Sequence, residues 1–149
     1  MEKPFMRKLV LFCLLLLSPL ANAADPISTS WTNNLAVSGY DSVAYQTQSK
    51  AIQGNPSYEY EWQGATWRFS SADNLALFKA DPDKYAPQFG GYCAWAVAQG
   101  KTASSDPTQF SVVDGKLYLN YSKSVQKKWL ANRDEFIMQG HQNWPDVLN

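Results

Sequence analysis

The sequence predicts an α+β fold: one small domain of short antiparallel hairpins packed against helices. Three observations carry that expectation. Tyr58, Tyr60 and Trp62 alternate with Glu59 and Glu61, the period of a strand with one buried face. Two Gly-containing turns, Gln63-Gly64 and Asp114-Gly115, each sit between apolar alternating runs, the pattern of a tight hairpin. Ser70 and Ser122 precede segments whose apolar residues recur near helical spacing.

The N-terminus reads as a secretory signal over residues 1–23. Lys3, Arg7 and Lys8 precede an apolar run from Leu9 to Leu17, and Ala21-Asn22-Ala23 supplies small residues at the two positions a signal peptidase reads. That run is shorter than the roughly 20 apolar residues a bilayer span needs. Cys13 lies inside the run and is followed by four leucines, whereas a lipid-carrying cysteine would end it; it is expected to leave with the signal. The product is therefore expected to be periplasmic or secreted, with no stable membrane anchor once the signal is cleaved.

Residues 24–34 are polar and rich in Ser and Thr, which predicts a flexible leader, and residues 35–149 form the predicted domain. Leu35 to Tyr45 is expected to turn at Gly39 into a short strand, and Gln46 to Ser57 to be a loop. Tyr58–Trp62 and Ala65–Ser70 make the first hairpin, with Trp67 and Phe69 on its inner face. The Ser70-x-x-Asp73 box starts a helix that Asp81-Pro82 ends. Tyr92 to Ala98 is predicted to be a short buried helix, opened by Gly91 and closed by Gly100. Phe110 to Asn120 is the second hairpin. Ser122 caps a last helix carrying Val125, Trp129 and Phe136, with Lys127, Lys128 and Arg133 on its wet face, and His141 to Pro145 breaks it.

Thirteen basic and thirteen acidic residues balance over the chain, and the signal carries three of the basic ones and one of the acidic. The remainder is slightly acidic with no basic patch, so nucleic acid is not an expected partner. Six tryptophans and eight tyrosines indicate a core built from large rings. After Cys13, only Cys93 remains, so no disulfide can form within the mature chain and the fold must stand on packing.

Cys93 is either a small buried core residue or a thiol open to a metal or partner. If Gly91 caps the helix, Cys93 falls in the first turn, where the helix dipole favours thiolate. His141 and Met138 could join it as a soft Cu(I) set, although a lone histidine near a helix end is commonly a surface residue. Tyr40 and Asp41, with Tyr92 and Trp95, are candidates for an aromatic small-ligand pocket; the alternative for Asp41 is a turn aspartate accepting backbone N–H bonds. Glu59 and Glu61 look paired but belong to the solvated face of their hairpin. A nucleophilic role for Cys93 would need a positioned base, and no spacing supplies one. No phosphate loop, Ser-His-Asp order or Cys-x-x-Cys is present.

The stretch from Trp67 to Tyr85, WRFSSADNLALFKADPDKY, is similar to the YHS domain, a small module that occurs beside metal-transporting ATPases and in some metal-dependent oxygenases. Phe69, Ser71, Phe78, Pro82, Lys84 and Tyr85 fall on that family's core positions. The GGYCAWAVAQGK, VDGKLYLNYSKSVQKKW and NWP stretches resemble its exported bacterial branch. Where metal-handling relatives have cysteine, this chain has Ser70 and Asn74, and the early Cys-Gly-Met-like segment is Ser38-Gly39-Tyr40. A hydroxyl or an amide is a far poorer ligand than thiolate for Cu(I) or Zn(II). The resemblance thus implies an exported, non-enzymatic binding domain in the handling of a copper, iron or zinc ion; the ligand candidates, Cys93 and His141, come from residue chemistry and not from a family motif. The alternative is a small-molecule or periplasmic-partner module that has lost the thiolate site.

Overall fold

The structure is a computed structural model and describes residues 23–149. The signal reading lies outside these residues except at its last position. No described helix is long and apolar enough to cross a membrane.

Strand β1 (Asn55–Trp62) and strand β2 (Ala65–Phe69) form the first antiparallel ribbon, with Tyr60 opposite Trp67 and Trp62 opposite Ala65. Gln63 and Gly64 both take positive φ, 48° and 75°, as a two-residue type I′ turn requires. Strands β3 (Asp106–Val113) and β4 (Lys116–Asn120) make a second ribbon, closed by Asp114 and Gly115 at φ 52° and 74°. The two ribbons are separate sheets, and the helices fill the space between and around them. The class is α+β, as the sequence predicts.

Several boundaries differ from expectation. The segment after Gly39 is not a strand: a 3₁₀ turn over Val37–Gly39 leads to the short helix α1 (Ala44–Thr47). Helix α2 (Ala72–Ala80) is capped by Ser71, whose Oγ accepts the Asn74 N–H at 3.1 Å, and not by Ser70. Asp81 closes α2 and caps α3 (Pro82–Tyr85). Helix α4 is only Ala94–Ala98, with Cys93 itself as N-cap. The last helix is two, α5 (Lys123–Ala131), capped by Ser122, and α6 (Arg133–Asn143), broken at Asn132.

Residues 24–34 are not a free leader. Ile27 is buried, Ala24 N–H donates to Leu148 O, Ser28 N–H donates to Gly90 O, and Thr29 bridges to Ala36. The segment is a strap across the body, and Gly90 admits it: a Cβ there would lie 1.9 Å from Pro26 O. Beyond the strap, Asn34 and Ala36 exchange backbone bonds with Thr66 and extend the edge of β2.

Two aromatic cores result. The first gathers Trp67, Phe69, Phe78, Tyr45 and Tyr85 beneath β1, β2 and α2. The second joins Phe89, Tyr118 and Trp129 with Ala94 and Val97 of α4. Burying each large ring contributes roughly 1.5–3 kcal/mol against the cost of ordering it. Strand β4 is buried on both faces: Leu117 and Leu119 enter the first core, and Tyr118 enters the second.

Gly140 shows how tightly the second core is fitted. It lies within α6, where alanine would normally gain about 1 kcal/mol of helix propensity, yet a Cβ would sit 2.6 Å from the Phe89 ring. Gly140→Ala is expected to lower unfolding stability by about 1–3 kcal/mol, read from the midpoint of a urea titration at unchanged slope.

Candidate functional site

The densest polar centre is Asp41, which is fully buried. Its Oδ1 accepts the N–H groups of Val43 at 2.9 Å and Ala44 at 3.2 Å, which fastens the start of α1. Its Oδ2 accepts three donors: Ser70 N–H at 2.8 Å, Ser70 Oγ–H at 2.6 Å and Asn74 Nδ2–H at 2.7 Å. A carboxylate offers about four lone-pair sites, so five donors occupy it completely. One side chain therefore joins the first loop, the end of β2 and the first turn of α2. The shift of the α2 cap to Ser71 follows, because Ser70 is engaged on Asp41.

This arrangement decides what the Ser70 and Asn74 positions do. Both side chains present hydrogens to a carboxylate, and a metal needs free lone pairs there. Among the described residues no group of three or more His, Cys, Asp or Glu side chains converges on one point. The residues present do not fit a soft metal ion. Tyr45, next to this centre, donates its hydroxyl to Pro107 O at 2.7 Å. Burial, with smaller contributions from Tyr40, Asp106 and Asp41, holds its phenol far above the ordinary range.

Residues 45–89 match the family model of the YHS domain. The chain carries a YHS domain. The matched segment runs from α1 through both strands of the first ribbon to the turn at Phe89, so it contains Ser70 and Asn74 but not Asp41, Cys93 or His141. No curated protein and no solved structure matches the chain.

Outside the YHS segment, the remaining candidates fall in separate places. Cys93 is buried, 1% exposed; its thiol donates to Asn120 Oδ1 at 3.6 Å and accepts Tyr121 N–H at 3.3 Å. Asn120 Oδ1 also accepts Trp95 N–H. As an N-cap, Cys93 precedes the first turn in which the sequence placed it, and it works as a polar pin between α4 and the end of β4. His141 is an exposed residue on α6, packed against the Phe89 ring (centroids 5.0 Å apart) and 3.4 Å from the Tyr118 hydroxyl. Its ring and hydrogen-bond partners, Phe89 and Tyr118, are not those of Cys93. Met138, the third member of the soft-ligand set, is solvent-exposed.

The four pocket candidates divide between the two cores. Tyr40 packs on the first, while Tyr92 and Trp95 pack on the second, and Asp41 is saturated within the first. Tyr92 ties its hydroxyl to Asp25 O in the strap, and Trp95 lies under the Lys128 ammonium. The residues that sequence reasoning missed are Asn120, the partner of Cys93, and the donor roles of Ser70 and Asn74. A polar residue ending the apolar strand LYLN was the available signal for the first; nothing local marks the others.

Two predictions follow from these contacts. Asp41→Asn sets an amide N–H₂ against donors it cannot satisfy, and should lower stability by about 2–4 kcal/mol, measured by chemical denaturation. His141 titrates below the ordinary 6.5, chiefly because ring burial disfavours its charge and secondarily because of Lys116. The folded pKa being depressed, the unfolded chain takes the proton first, so stability is unaffected above 6.5 and falls as pH drops through 6.5 toward the folded value. His141→Gln should flatten that part of the stability–pH curve, with the imidazole midpoint read by NMR.

Proposed function

We propose that this chain is an exported, non-enzymatic YHS binding domain that takes a small molecule and not a soft metal ion. The observation that carries this reading is the Asp41 centre. Ser70 and Asn74, at the positions where metal-handling relatives have cysteine, both donate to one saturated carboxylate. The role a metal would have, cross-linking the first loop to β2 and α2, is filled by hydrogen bonds to charge, each about twice as strong as a neutral one. Export is supported by the basic, apolar and A-x-A pattern of residues 1–23. The absence of catalysis is supported by the setting of Cys93, which has Asn120 and backbone around it in place of a base.

The YHS match favours a second reading, metal handling, with Cys93 and His141 as ligands. Elemental analysis of the purified mature protein, followed by titration with Cu(I), Zn(II) and Fe(II), separates the two. The binding-module reading expects no stoichiometric metal, and a native Cys93 protected from iodoacetamide at neutral pH. One equivalent of tightly held metal, lost in Cys93→Ser or His141→Gln, would overturn it in favour of metal handling.

A further inference from the structure

A cleft of about 360 Å³ opens between the N-terminal strap, the Val37–Gly39 turn and the segment before β3. Its volume is within the ordinary range for small-ligand sites, about 300–1,000 Å³. The walls are fixed: Ser28 N–H bonds Gly90 O, and Ser105 Oγ–H bonds Gly91 O at 2.7 Å. We propose that this cleft binds a neutral, polyhydroxylated ligand of the saccharide class, with Trp31 as its stacking platform; the proposal rests on the small-molecule reading above.

Three independent observations point there. First, the lining is dense in hydroxyls, and those of Ser28, Thr29, Ser38 and Ser104 make no hydrogen bond within the described protein. Each offers one donor and two acceptor lone pairs, the same inventory that a sugar hydroxyl presents in return. Second, Trp31 is 97% exposed at the cleft margin, while every other tryptophan is buried or half-buried. A free indole face beside a polar groove suits a ring with an apolar C–H face and a hydroxyl rim. Third, Val37 and Ser38 hold φ of 52° and 53° where they line the cleft. For a β-branched residue this is an uncommon, strained conformation, of the kind that concentrates at ligand sites.

The charge pattern selects the class. Among the described residues no ionisable side chain lines the cleft, so an anionic or cationic ligand would enter without a counter-charge. A purely apolar ligand would leave the hydroxyls desolvated and unpaired. A neutral polyol satisfies both conditions.

The test uses the mature protein with cellotetraose, maltotetraose and tetra-N-acetylchitotetraose as probes, and pentaglycine blocked at both ends (N-acetyl, C-amide) as the uncharged non-sugar control. Saturation-transfer NMR and tryptophan emission should report binding of at least one tetrasaccharide and none of the peptide. Trp31→Ala should weaken that binding at least about tenfold with an unchanged circular dichroism spectrum, since the side chain is exposed; Ser38→Ala should weaken it less. Binding of pentaglycine alone, equal saccharide affinity in Trp31→Ala, or no saccharide binding would each overturn the proposal. The metal titration keeps the two levels apart: silence with sugars and with metals removes only the saccharide assignment, whereas stoichiometric metal removes the module reading beneath it.

Discussion

The Asp41 carboxylate is the interaction on which the YHS segment depends. Val43 in its own loop and Ser70 and Asn74, 29 and 33 residues further along the chain, meet on its two oxygens, and each brings a donor that would otherwise be an unpaired buried group. Loss of such an acceptor is costly because the donors stay behind, desolvated. The carboxylate also fixes register: with Ser70 held at the end of β2, the chain must begin α2 one residue later, on Ser71. That placement turns Phe78 inward against Trp67, Phe69 and Trp62, with ring centroids 4.9 to 5.6 Å apart. Polar geometry at one end of the helix thereby sets the aromatic packing along it.

Much of the fold is legible in the sequence because the deciding physics is local. Alternation over Tyr58–Trp62, the two Gly turns, and the Ser122 cap are short-range constraints, and the structure has each where the residues put it. The first segment reads as a strand because GYDSVAY offers both strand and turn chemistry; Asp41 resolves it by holding the N–H groups of Val43 and Ala44, which starts a helix. Ser70 and Ser71 present the same ambiguity at the α2 cap. Two adjacent serines have equal capping ability, and the choice is made by a partner 29 residues away. Similarly, the strap looked free because its residues are polar, while its anchors are backbone groups at Gly90, Ala36 and Leu148, which composition does not register.

The candidate site was less legible, for a related reason. Residue identity suggests a soft-ligand set of Cys93, His141 and Met138, but coordination is a matter of convergence: Cys93 is the buried N-cap of α4, while His141 and Met138 lie on α6, one packed against a ring and the other exposed. The Ser70 and Asn74 substitutions, by contrast, could be read as the loss of ligands from sequence alone. What they gained in exchange, a shared anion, could not. The hydroxyl cleft escaped for the same reason: its walls come from three segments that are individually unremarkable loops.

Strand β4 carries a further consequence. Because Leu117 and Leu119 belong to one core and Tyr118 to the other, the two cores share β4 as a common wall. Detaching β4 would expose both at once, so the molecule has no cheap half-open state in which one half melts while the other persists. Amides of the YHS segment and of α4–α6 should then exchange with solvent on a common, global timescale, although only the first belongs to the matched family. The later helices are thermodynamically part of the domain, not an appendage to it, and the YHS segment cut out alone would lack the strand on which it closes.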